Sequence, residues 1–124
     1  MNISRRLCPT AAGAFLLSLG TTAFAAVTTT VVDIPVTDGT QRFLYVKPDA
    51  PVANIISVPG GDGVLGIQND GSMPTITGQC NPIGRVRQTM AERGYAIALV
   101  DANSIGAVRG ADDVVEVARY MKAR

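Results

Sequence analysis

Polar and apolar residues form two strand-like stretches early in the chain, joined by a turn sequence. Residues 27–36 are rich in Thr, Val and Ile, the composition typical of a β-strand. Asp38-Gly39 follows, and this dipeptide suits the positive φ angles of a tight hairpin turn. Between Gln41 and Lys47 the pattern alternates and places Phe43 and Tyr45 on one face. The pattern predicts an antiparallel β-hairpin.

Two further strands are predicted, residues 54–58 from a short, mostly apolar and β-branched run and residues 95–100 from a continuous apolar run. The second run has no polar position, which is typical of a strand covered on both faces in a parallel sheet. A helix is predicted between them because Asn81 can cap it, Pro82 suits its first position and Gly94 suits its end. A right-handed crossover through this helix makes the two strands parallel.

A second helix is predicted over residues 111–124, with acidic residues in its first turn and basic residues in its last. The apolar face of the first helix is assigned to Ile83, Val86 and Met90. The apolar face of the second is assigned to Val114, Val117, Ala118 and Met121. The element order β-β-β-α-β-α predicts an α/β fold in one domain, residues 26–124.

Residues 1–25 have the three parts of a secretory signal peptide. Arg5 and Arg6 are basic, residues 11–19 are apolar, and Ala23-Phe24-Ala25 is a small-x-small cleavage site. The apolar part is too short to be a stable membrane span. We therefore expect export, to the periplasm or the medium, after cleavage near Ala25.

The composition of residues 26–124 excludes several kinds of site. Once Arg5 and Arg6 are removed, nine basic and ten acidic residues remain, so nucleic-acid binding has no basic surface to support it. The sequence contains no histidine, which excludes a histidine-based triad and histidine metal ligands; we expect no metal and no cofactor. Cys80 is the one cysteine of this part, and it is either a free thiol or paired with a cysteine outside the chain.

The glycine-rich stretch from Gly60 to Gly66 is the first candidate for chemistry, at the start of a predicted loop, residues 60–79. Its spacing matches the G-x-G-x-x-G fingerprint of dinucleotide sites, but that site needs a helix that opens at the glycines and an acidic residue about 20 positions later. Residues 68–72 are too polar and turn-prone for such a helix. A dinucleotide site is therefore disfavoured.

Three further features could contribute to a site. Residues 102–106 resemble a nucleophile elbow in which Ala replaces the first Gly, but a working elbow also needs a helix directly after it and a base. Asp101 follows a buried strand, where open α/β sheets bind ligands. Asp101 and Asp62 are either ligand-binding side chains or turn-forming residues that cap neighbouring backbone N–H groups.

Most of the chain after residue 55 carries a resemblance to a known family. The residues from Ile56 to Gly63, the long polar loop, Asn81 to Arg93, and Gly94-Tyr95-Ala96-Ile97-Ala98-Leu99-Val100-Asp101-Ala102 are similar to the N-terminal part of exported bacterial α/β-hydrolases. The helix that begins near Ala111 resembles the one that precedes the nucleophile strand in that family.

This resemblance implies a mostly parallel sheet that begins with an antiparallel hairpin. It also implies that the backbone N–H groups around Gly60 and Gly61 form one side of an oxyanion hole, for a small ester-like acyl substrate. The family's nucleophile, acid and histidine come later in the chain. We therefore expect an N-terminal half of an α/β-hydrolase-type sheet that ends before the nucleophile strand and is inactive alone. The alternative is a non-catalytic, exported module that binds a small ligand at the glycine-rich loop.

Overall fold

The computed structural model describes residues 26–37, 39–60, 63–101 and 111–124. The predicted signal peptide, residues 1–25, lies outside this part, as do Asp38, Gly61, Asp62 and residues 102–110. The described elements are β1 (Val27–Val36), β2 (Gly39–Pro48), β3 (Ala53–Ser57), α1 (Ile76–Cys80), α2 (Pro82–Glu92), β4 (Tyr95–Asp101) and α3 (Ala111–Lys122). All four predicted strands and both predicted helices are present.

The four strands form one mixed sheet in the order β1-β2-β4-β3. β1 and β2 pair antiparallel as a hairpin in which Val36 lies opposite Gly39. β2 also pairs antiparallel with β4, and β3 pairs parallel with β4. The predicted α/β class, the hairpin and the parallel pair are therefore confirmed. β3 lies at one edge of the described sheet.

One face of the sheet is covered by α3. Its central positions are aromatic on β2 and small on β4, so that Phe43 and Tyr45 lie beside Ala96 and Ala98. Tyr120 of α3 packs edge-on against both aromatic rings, with ring centroids 5.3 Å from Phe43 and 5.8 Å from Tyr45. Large side chains on one strand thus occupy the space that small ones leave on the next.

The other face is aliphatic and is covered by α2 and by the loop that follows β3. This core consists of Leu44, Val46, Leu65, Ile67, Ala91, Ile97 and Leu99. Leu65 and Ile67 come from the loop and are 0% and 2% exposed. The loop therefore forms part of the hydrophobic core.

The cap predicted for α2 is confirmed. Asn81 Oδ1 accepts a hydrogen bond from Gly84 N at 2.7 Å, and Pro82 is the first helical residue. Gly94 follows Arg93, the C-cap of the helix, and has a φ of +97°. A residue with a side chain would be strained in this conformation, which explains why α2 ends here.

Three local predictions were wrong. Residues 60–79 were predicted to be loop throughout, but α1 begins at Ile76, capped by the Thr75 side chain. Val86 was assigned to the apolar face of α2 but is 44% exposed, whereas Ala91, five residues later, is fully buried. In α3, Ala118 was assigned to the apolar face but is exposed, whereas Tyr120, which was not assigned to it, packs on the core. The choice of apolar face followed hydrophobicity, whereas in the structure the small residue Ala91 is the one that α2 buries in the aliphatic core.

Candidate functional site

Asp101 lies at the carboxyl end of β4, as predicted, and its side chain is 2% exposed. Its carboxylate accepts two backbone hydrogen bonds from the loop after β3. Leu65 N donates to Oδ1 at 2.8 Å, and Ile67 N donates to Oδ2 at 2.7 Å. Charge-assisted hydrogen bonds of this kind are roughly twice as strong as neutral ones. The carboxylate thus anchors a loop that precedes Asp101 by more than 30 positions, and its predicted contact with a ligand stays a prediction.

Arg42 binds the same loop through a backbone carbonyl, whereas Asp101 binds it through backbone N–H groups. Its Nη1 donates to Ile67 O at 3.1 Å. The rest of the guanidinium is paired with Asp33 on β1, where Nε lies 2.8 Å from Oδ1 and Nη2 lies 2.7 Å from Oδ2. This pairing lowers the pKa of Asp33, chiefly through the hydrogen bonds from Arg42, and raises the pKa of Arg42.

Gln41 joins the two anchoring residues from within the sheet. It is 8% exposed, and its Nε2 donates to Asp101 O at 2.7 Å and to Arg42 O at 2.8 Å. A buried amide with both N–H groups bonded fixes the local backbone. The beginning of β2 and the end of β4 are therefore tied together where the loop is attached.

A threonine before α1 fixes the outer side of the loop. Thr75 Oγ1 donates to Leu65 O at 2.7 Å and accepts from Gly78 N at 3.0 Å. Gly66 has a φ of +67°, and a Cβ added there would lie 2.5 Å from Thr75 Cγ2. Only glycine fits this position, both because of its conformation and because of the close contact.

The candidate oxyanion-hole residue Gly60 lies just beyond the end of β3 and is exposed. A Cβ added at Gly60 would meet no heavy atom of the described residues within 4 Å. Its carbonyl accepts a hydrogen bond from Gly63 N at 3.3 Å, which links it to the anchored part of the loop. Gly61 and Asp62, the other two predicted site residues of this loop, lie outside the described residues, and so do residues 102–106 of the elbow-like sequence.

The loop does not have the geometry of a dinucleotide site. Residues 63–68 are not helical, and the first described helix after the glycines is α1, at Ile76. A pyrophosphate site of this type needs a helix N-terminus at the glycines. The structure thus supports the sequence argument against dinucleotide binding.

The part of the chain that the structure describes has no group of three or more His, Cys, Asp or Glu side chains that could hold a metal ion. Cys80 is exposed at the end of α1. Within the same residues, no helix is both long and apolar enough to cross a membrane.

Comparison with known proteins does not assign the chain to a family. No protein-family model matches the chain, and no curated protein matches it either. The function must therefore be argued from the geometry of the loop and from the family resemblance in the sequence.

Sequence analysis missed Arg42, Asp33 and Gln41 as supports of this loop. The hairpin register places Asp33 directly opposite Arg42. A two-residue turn centred on Asp38-Gly39 would instead have placed Asp33 opposite Leu44, so the local turn signal does not predict this pair. The contact of Arg42 with the loop depends on chain segments far apart in sequence.

Proposed function

We propose that this chain supplies the oxyanion-stabilising loop of an exported α/β-hydrolase-type domain that cleaves small ester-like acyl compounds. The backbone N–H of Gly60, with that of Gly61, would donate to the oxygen on which negative charge develops. In such folds one oxyanion donor comes from the loop after the third strand, and the second follows the nucleophile serine.

One observation carries this proposal: the loop after β3 is fixed by a buried carboxylate at the edge where β3 and β4 both end. Because β3 and β4 are parallel, their carboxyl ends lie at the same edge, where open α/β sheets bind ligands. A donor stabilises a transition state most when it is already in place before the reaction. The two hydrogen bonds to Asp101 provide this kind of fixed support.

The proposal assigns no nucleophile or base within these 124 residues. A histidine base is absent from the sequence, so the remaining catalytic groups would follow Arg124 in a longer polypeptide. We expect the 124-residue chain alone to hydrolyse p-nitrophenyl acetate no faster than buffer. Serine-dependent turnover by this chain alone would contradict the assignment.

The first test is the coding DNA beyond the Arg124 codon. We expect it to encode a strand, a G-x-S-x-G turn, and then an acidic residue and a histidine. If these are lacking and the chain unfolds cooperatively as a monomer, the alternative of a non-catalytic small-ligand module gains support and the hydrolase proposal fails.

The second test addresses Gly60 in the longer polypeptide. Gly60→Pro removes the backbone N–H, and loss of one oxyanion donor lowers kcat by about 100-fold to 1,000-fold. Gly60→Ala keeps the N–H and adds a methyl group where no heavy atom of the described residues lies within 4 Å, so a smaller loss is expected. Equal effects of the two substitutions would argue against a donor role for Gly60.

A further inference from the structure

We infer that Arg42 and Asp101 act together as positioning residues that hold the loop after β3 by the two polar groups of a single residue, Ile67. This inference rests on the proposed function, since it explains how the Gly60 donor is kept in place. Asp101 accepts from Ile67 N, and Arg42 donates to Ile67 O. Both backbone groups of Ile67 are thus bound by charged side chains of the sheet.

The sheet itself sets the distance between the two positioning residues. Arg42 and Asp101 are direct partners in the antiparallel β2–β4 pairing, and Gln41 ties their main chains together. The main chains of the positioning pair are therefore fixed relative to each other by the β2–β4 pairing and by Gln41.

The loop is built to be held in this way. Leu65 and Ile67 are two positions apart, and Gly66 between them has a φ of +67°. With this turn of the backbone, the N–H groups of both residues reach the carboxylate of Asp101. Their side chains are buried in the aliphatic core, so a displacement of the loop would break the charged hydrogen bonds and expose apolar surface at the same time.

The position of Arg42 is supported from the opposite side of β2. Nε and Nη2 of Arg42 are paired with the carboxylate of Asp33, and the remaining nitrogen, Nη1, donates to Ile67 O. A lysine could not make all of these bonds, because its ammonium lacks the planar fork of donors. The hydrogen bond from Gly63 N to Gly60 O then connects the held segment with the proposed donor.

Amide hydrogen exchange, followed by NMR, tests the inference without any turnover. In Asp101→Asn the amide group presents an N–H to one of the two donors and loses one acceptor. We expect the protection of the Leu65 and Ile67 amides to fall by about 10-fold to 100-fold, the range that corresponds to one hydrogen bond to a charged group. The amides of Ile97 and Leu99 in β4 should change much less.

Arg42→Met is the second variant, and it acts outside the core because Arg42 is partly exposed. It removes the bond to Ile67 O and is expected to increase exchange at Ile67 and at Gly63. Asp33→Asn is the matched control, because it weakens the ion pair and leaves the Arg42 bond to Ile67 O available. Arg42→Lys should resemble Arg42→Met more than wild type.

Two results would overturn the inference. One is an equal loss of protection in the loop and in β4, which would show that these residues stabilise the whole domain and not the loop in particular. The other is unchanged exchange at Leu65 and Ile67 in both variants. If Asp101→Asn does not fold, Arg42→Met alone decides between these outcomes. Failure of the hydrolysis tests would leave this exchange result intact, so the two proposals can fail separately.

Discussion

Gly78 offers a direct test of how tightly the loop after β3 packs against α1. Replacement of glycine by alanine within a helix normally stabilises a protein by about 0.5–1 kcal/mol. At Gly78 an added Cβ would lie 2.6 Å from Leu65 O and 2.7 Å from Met73 Cβ. Leu65 O belongs to the main chain and already accepts from Thr75 Oγ1, so it cannot move away freely.

The magnitude follows from these opposing effects. Overpacking of a fixed site costs about 1–3 kcal/mol, and a weakened Thr75 hydrogen bond costs about 0.5–1.5 kcal/mol. After subtraction of the helix gain, we expect Gly78→Ala to lower the free energy of unfolding by about 2 kcal/mol.

Gly84 in α2 is the matched control. A Cβ added there would lie 3.4 Å from Asn81 Cβ and 3.5 Å from Met73 Cε, which are ordinary contacts. We expect Gly84→Ala to leave the free energy of unfolding unchanged or to raise it by up to about 1 kcal/mol. Urea unfolding followed by far-UV circular dichroism measures both variants. If Gly78→Ala is as stable as Gly84→Ala, the close packing of α1 on the loop is refuted.

Two further predictions concern polar groups outside the loop. The Tyr45 hydroxyl is buried and has no hydrogen-bond partner among the described residues, and burial raises the pKa of this side chain. Tyr45→Phe should therefore leave the free energy of unfolding unchanged or raise it by about 1 kcal/mol, and a loss above 1 kcal/mol in urea unfolding would contradict this. The lowered pKa of Asp33 means that its pairing with Arg42 stabilises the fold above about pH 4 and that this contribution is lost as the pH falls through the lowered value. Because both side chains are partly exposed, the difference between wild type and Asp33→Asn should be at most about 1 kcal/mol at pH 7. It should become smaller as the pH falls below the usual range of the carboxyl group, and a difference that does not change with pH would refute the assignment.

The elements with local signals were predictable from the sequence. The Asn81-Pro82 cap and the position of Gly94 depend on neighbouring residues only, and α2 is found where these residues indicate. The hairpin was also predicted, but its register, with Val36 opposite Gly39, differs by two residues from that of a turn centred on Asp38-Gly39. α1 was missed because Ile76, Thr77 and Gly78 are all poor helix formers. Its cap, Thr75, becomes effective only when the loop packs beneath it.

The candidate site was predictable only in part, because its contacts join distant segments. The position of Asp101 at the end of a buried strand follows from the apolar run before it. Its binding to Leu65 and Ile67 depends on the parallel pairing of β3 and β4 and on the path of a loop about 35 residues away. No local pattern encodes such a contact. The same reason explains why the bond from Arg42 to Ile67 O was not predicted.

The unequal faces of the sheet have a consequence for the fidelity of folding. β2 and β4 present aromatic and alanine side chains to α3, and aliphatic side chains to α2 and the loop. A slip of one residue between these strands would exchange the faces of one strand. Phe43 and Tyr45 would then crowd Ile97 and Leu99, while Ala96 and Ala98 would lie beside the smaller Leu44 and Val46 and leave unfilled space. Misregistered sheets and swapped helices are thus penalised by overlap on one side and by empty space on the other. The same size pattern that fills the core also excludes the wrong arrangements of this chain.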